Sequence, residues 1–166
     1  FIGPSVVGPG VFDRTQLLPP SAPVERGDEL WFYYTGIKYR ARPENADEKA
    51  GAVCLAVLRR DGFISLDAGD KPGRLLTRPF VMPAGSLHVN VDAGKEKLVV
   101  ELLDEQGRVA ASSMPLTGDH PDTAVAWKAG PKTDLAGKTV RLRFSVTNGS
   151  LYSYWFASTA KTNAGD

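Results

Sequence analysis

Thr139-Val140-Arg141-Leu142-Arg143-Phe144-Ser145-Val146 alternates apolar and polar side chains along most of its length. A period of two marks a β-strand, in which successive side chains point to opposite faces. Val140, Leu142, Phe144 and Val146 therefore enter a core, and Arg141 and Arg143 occupy the other face. Leu87-His88-Val89-Asn90-Val91-Asp92 repeats the pattern. Sheets with one apolar face and one polar face are antiparallel in character.

Outward from these two strands, further short runs read as strands: Leu75–Val81, Leu98–Leu103, Val109–Ser113, Thr123–Trp127 and Leu151–Phe156. Ala93-Gly94, Glu105-Gln106-Gly107 and Asn148-Gly149 supply the turns between them. Upstream, Glu29-Leu30-Trp31-Phe32-Tyr33-Tyr34-Thr35 is a strand with aromatics on both faces and so expected to be covered on both, and Ala52–Leu58 is the next. Arg60-Asp61-Gly62 is a turn signal, with Phe63-Ile64-Ser65-Leu66 expected to begin the partner strand. Residues 1–28 are rich in Gly and Pro and read as an extended cover, pinned by Val11-Phe12 and Leu17-Leu18. Residues 36–50 read as an exposed polar loop. Lys132–Gly137 is the one stretch expected to form a helical turn, capped by Thr133 or Asp134. This spacing of short strands predicts an all-β fold, an antiparallel β-sandwich of jelly-roll type, with the first 70 residues adding strands to it.

Composition narrows the function. The 166 residues carry 20 Lys+Arg against 19 Asp+Glu, with no basic stripe, so no nucleic-acid partner is expected. No apolar run approaches the roughly 20 residues that span a bilayer, so no membrane partner is expected. The single cysteine, Cys54, lies in an apolar run and reads as a buried structural thiol; it excludes an internal disulfide and four-cysteine zinc sites. The start lacks both an initiator Met and the features of a signal peptide, and reads as part of a longer protein.

No Gly-x-Ser-x-Gly elbow or glycine-rich phosphate loop is present. Glycoside hydrolysis needs two carboxylates roughly 5–9.5 Å apart. Asp92 and Glu101 are the one pair within reach, provided that Ala93-Gly94-Lys95-Glu96 closes a hairpin between their strands.

Binding is better provided for. By strand parity His88, Asn90 and Asp92 share an outer face, as do Arg141 and Arg143, with Glu101 on the strand between. If these strands are neighbours, the six form one polar patch suited to sugar hydroxyls, which donate and accept at once. The competing reading is a solvated face of weak ion pairs. A pyranose also packs its C–H face on a flat ring. Trp31, Tyr33, Tyr152, Tyr154 and Trp155 are candidates, and Trp127, at a strand end beside a loop, is the preferred one. Asp119 and Asp122, in Gly118-Asp119-His120-Pro121-Asp122, could join a backbone carbonyl around Ca2+; no other cofactor is expected.

The order of several phrases is also informative. Gly27-Asp28-Glu29-Leu30-Trp31-Phe32-Tyr33-Tyr34-Thr35-Gly36 precedes Ala56-Val57-Leu58-Arg59-Arg60-Asp61-Gly62-Phe63-Ile64-Ser65-Leu66-Asp67-Ala68. Leu76-Thr77-Arg78-Pro79-Phe80, the strand of His88, the strand of Arg141 and Leu151-Tyr152-Ser153-Tyr154-Trp155-Phe156 follow. Together these phrases, over residues 11–157, resemble the C-terminal portion of bacterial proteins related to glycoside hydrolase family 32, in which a β-sandwich follows a five-bladed β-propeller. The resemblance implies three regions: residues 1–73 as an extended segment and propeller-like strands packed on the sandwich, 74–157 as the sandwich, and 158–166 as a flexible tail. It also implies an extracellular or periplasmic setting, a glycan partner and a catalytic domain in the same parent protein. The family's catalytic motifs Asn-Asp-Pro, Arg-Asp-Pro and Glu-Cys are not matched: Arg60-Asp61-Gly62 and Val53-Cys54 stand where the last two would be sought. The expectation is a non-catalytic, carbohydrate-binding accessory module. A purely structural support for a propeller is the first alternative, and a small glycoside hydrolase the second.

Overall fold

The computed structural model describes residues 2–6, 10–19, 22–39, 41, 43–44, 49–130 and 133–158. The expected loop residues Arg40, Arg42 and 45–48, Lys132 and nearly all of the tail lie outside these. The chain is all-β and forms two compact units, Phe1–Phe63 and Ile64–Asp166.

The first unit is one antiparallel sheet. Its strands are β1 (Gln16–Leu18), β2 (Val24–Arg26), β3 (Glu29–Ile37) and β4 (Gly51–Arg59). β3 is central: β4 pairs along its whole length on one side, while β2 and β1 divide the other. The Pro-rich stretch between β1 and β2 fits this division, because proline cannot donate to a ladder and breaks the strand there.

The second unit is the sandwich. β5 (Leu66–Ala68), β6 (Gly73–Leu76), β7 (Phe80–Val81), β8 (Ser86–Asp92), β9 (Leu98–Leu103), β10 (Val109–Ser112), β11 (Asp119–Ala124), β12 (Thr139–Val146) and β13 (Gly149–Ala157) follow in order. One sheet runs β11-β8-β13-β5; the other runs β10-β9-β12-β6, with β7 continuing β6 along the same edge of β12. From β7 onward every connection except the β9–β10 hairpin crosses between the sheets. That order is the jelly roll, which the alternating strands had predicted. A single 3-10 turn, Thr133–Leu135, stands where the helical turn was expected.

The core lies where alternation put it. Leu87, Val89 and Val91 from one sheet meet Leu98, Val100, Leu102, Val140, Leu142 and Phe144 from the other, each at most 2% exposed. Burying side chains of this size contributes about 1.5–3 kcal/mol each. Ser113 is also fully buried, but its Oγ accepts the Val100 N–H at 2.9 Å.

Three expectations are corrected. Phe63–Leu66 does not pair with β4. The positive φ at Asp61 (53°) completes a tight turn closed by Gly62 N–H to Arg59 O at 3.0 Å, and the next strand, β5, pairs with β13 instead. The sandwich unit thus begins upstream of residue 74, and β1–β4 form a sheet of their own rather than extending the sandwich. Finally, Ala93–Glu96 does not close a hairpin within a sheet. Like the turn at Asn148-Gly149, it carries the chain from one sheet to the other, so β8 and β9 lie in different layers.

Candidate functional site

The crossing at Ala93–Glu96 divides the expected polar patch. His88, Asn90 and Asp92 lie on the outer face of the β11-β8-β13-β5 sheet. Glu101, Arg141 and Arg143 lie on the outer face of the other. Stacked sheets are about 10 Å apart before their outward side chains begin, so the two trios point away from each other with the core between. The same geometry separates Asp92 from Glu101 and removes that pair as glycosidase carboxylates.

On the first face, the His88 ring packs on Trp155, with centroids 5.6 Å apart, and its Nδ1 lies 2.6 Å from Asp122 Oδ1. Asp92 Oδ1 accepts the Gly94 N–H at 2.9 Å, an Asx turn. Asn90 is only 1% exposed despite its outward parity. Bulges in both neighbouring strands fall opposite it and place extra residues beside it. Alternation reports a side chain's face and says nothing about what crowds it, so Asn90 is withdrawn as a solvent-facing contact. Its partner Ser153 has an Oγ that is buried with no hydrogen bond among the described residues.

Asp119 and Asp122 lie in β11, not in a loop. Asp119 pairs with Asp92, and Asp122 meets His88. Among the described residues no group of three or more His, Cys, Asp or Glu is arranged to hold a metal ion. Trp127 packs against the core and bridges Ser113, so it is not a free platform. Tyr154 and Phe156 turn inward against Phe144 and Phe80.

On the second face, Arg143 Nε donates to Glu101 Oε2 at 2.6 Å. The two are cross-strand partners, and the carboxylate raises the guanidinium's pKa further. Arg141 stands two residues away on the same strand. On the neighbouring β6, Leu76 pairs with Arg143 and Arg74 with Ser145, which puts both on this face. Among the described residues Arg74 and Arg141 carry no ion pair.

A third surface, on the first sheet, corrects the expectation that the Glu29–Thr35 strand is covered on both faces. Register pairs Leu18 with Thr35, Val24 with Trp31, and Trp31, Tyr33 and Thr35 with Val57, Leu55 and Val53. Paired residues share a face, so Leu18, Val24, Trp31, Tyr33, Val53, Leu55 and Val57 lie together. Six of them are 42–77% exposed, Val53 the most. The Arg26 guanidinium sits 4.2 Å from the Trp31 ring centroid, and the indole N–H donates to Glu29 Oε2 at 2.7 Å. The opposite face is covered in part: Asp13 is buried against Tyr34, and Phe63 packs edge-on to Phe32. The signal was in the sequence, since Val53, Leu55 and Val57 alternate with Cys54 and Ala56. Both sets are apolar, however, so the strand pattern alone gave no sign of which face would be left open.

A cleft of about 320 Å³ also opens between β5 and β6, lined mainly by Leu66, Ala68, Leu75, Phe144, Val146 and Leu151. It is an open edge of the core, with Asp67 and Arg74 also in its lining. No helix of the described residues is long and apolar enough to cross a membrane. Comparison with protein-family models, with curated proteins and with solved structures found no match.

Proposed function

We propose that this chain is a non-catalytic accessory part of a carbohydrate-active protein and that its first sheet is a docking surface for a catalytic domain of β-propeller type. The observation that carries this reading is the open apolar face of β1–β4. Contiguous exposed apolar patches larger than a few hundred Å² mark interaction sites, and seven large side chains in adjoining rows make such a patch. Their flat arrangement suits a second sheet, whose side chains would interdigitate with Val53, Leu55, Val57 and Tyr33 as in sheet-on-sheet packing. Propeller blades are sheets stacked in this manner, and the resemblance of the ordered phrases to the family 32 proteins supplies the carbohydrate context. The test is to mix the chain with a five-bladed propeller of that family expressed without its sandwich. Co-elution that Val53→Lys with Leu55→Lys abolishes supports the reading. A wild-type chain that neither co-elutes nor binds an apolar dye such as ANS overturns it.

A second reading, glycan binding by the sandwich, is favoured by the Arg143–Glu101 pair beside Arg141. These are charge-assisted donors and acceptors held by adjacent strands on one sheet face. Retardation of the chain in glycan-containing gels tests it.

A further inference from the structure

The arginines of the second sandwich face are arranged as a track. Arg141 and Arg143 both point outward from β12, two residues and therefore about 7 Å apart. Arg74 continues the direction from the next strand, beside Ser145. Glu101 engages Arg143 alone, which leaves three guanidiniums against one carboxylate on this face. Leu76, 48% exposed, lies next to Arg143 and offers an apolar contact within the track.

We propose that this face binds a carboxylated polysaccharide, a polymer of uronic acid units, along the line Arg141–Arg143–Arg74. The inference rests on the glycan-binding reading above and specifies its ligand. Guanidinium forks match carboxylates in a bidentate geometry, and Arg143 already donates through Nε to a carboxylate, Glu101, within the protein. Leu76 takes the C–H surface of a sugar ring, and Ser145 and Ser112, which face the same way, supply hydroxyl partners. A polynucleotide fits less well. Its charge density calls for a wider basic surface and aromatic stacking, whereas the chain has near-balanced charge and none of these strand positions is aromatic. A ligand with one carboxylate per sugar matches a short track containing a single acid.

Affinity electrophoresis of the whole chain through gels containing polygalacturonate, a sulfated glycan, a neutral glucan or duplex DNA tests the proposal. The expected result is retardation by polygalacturonate that weakens as salt rises. Arg141→Gln and Arg74→Gln should each weaken it about tenfold with thermal unfolding unchanged. Glu101→Gln, which releases Arg143, should strengthen it. Equal or stronger retardation by DNA or by the sulfated glycan overturns the proposal, as does binding insensitive to Arg141→Gln and Arg74→Gln together. Retardation by the neutral glucan alone overturns the acidic ligand but leaves glycan binding standing; no retardation in any gel removes both.

Discussion

Tyr34 donates its hydroxyl to Asp13 Oδ2 at 2.8 Å, and Asp13 in turn sits directly over Gly36. The contact fixes the segment before β1 to the centre of β3. It also shifts both groups. The hydrogen bond to Asp13, with burial and the carboxylate's charge behind it, pushes the Tyr34 pKa up to about 12. The Tyr34 and Ser5 side chains hold Asp13 below its usual value.

The signs define a pH window. A phenol whose pKa is raised by folding contributes stability that is complete below its unfolded value, about 10, and is lost as pH climbs through 12. A carboxylate with a lowered pKa contributes above about 3.9 and loses that contribution as pH falls through its folded value. The stability difference between wild type and Tyr34→Phe should therefore be greatest between about pH 4 and pH 10 and shrink on both sides. Ultraviolet titration should show a late-ionising tyrosine in wild type that the variant lacks. A difference that is flat with pH would sink the argument.

Two buried hydroxyls should respond oppositely to removal. Ser113→Ala strands the Val100 N–H and should cost about 1–3 kcal/mol. The Ser153 hydroxyl satisfies nothing among the described residues, so Ser153→Ala should be neutral or stabilising. Denaturant unfolding of the two variants side by side decides it. Comparable losses would mean that Ser153 has a partner after all.

Gly149 is required by space. A Cβ there would lie 2.5 Å from the Asp92 carbonyl oxygen and 3.0 Å from Ala93 Cα, where the chain crosses between the sheets. Both obstacles are backbone and cannot swing aside. Gly149→Ala should cost about 1–3 kcal/mol, the usual range for overpacking. Gly107, with open space at its Cβ position but φ of 77°, should be penalised by conformation instead. Asn, which tolerates that region, should be accepted at Gly107 and not at Gly149.

How far the sequence could be read follows from what alternation encodes. In Thr139–Val146 the polar and apolar sets are distinct, so the strand, its burial and its facing all emerged as expected. The jelly roll followed from several such strands in series. Alternation does not say which strands are neighbours. Placing His88 and Arg141 on one patch required β8 and β12 to share a sheet, and the arch at Gly94 sends β9 into the other layer. Nor does it reveal crowding, so Asn90 looked open and is buried. In β4 both faces are apolar, and only register with Trp31, Tyr33 and Thr35 showed which row stays exposed.

That exposed row yields a contrast with the core. Val53 is 77% exposed and Val100 is fully buried, yet both are strand valines of the same size. Val53→Lys puts its charge in water and should change stability by no more than about 0.5 kcal/mol. Val100→Lys buries an unpaired ammonium and should prevent folding. Val53→Lys should also reduce ANS fluorescence and any concentration-dependent association, because it breaks the exposed apolar row along β4. The measurements are thermal unfolding, dye binding and sedimentation on the same preparations. If Val53→Lys unfolds the chain as Val100→Lys does, the row is part of a core and cannot be a docking surface. If it leaves both stability and dye binding untouched, the dye and any partner must be held elsewhere.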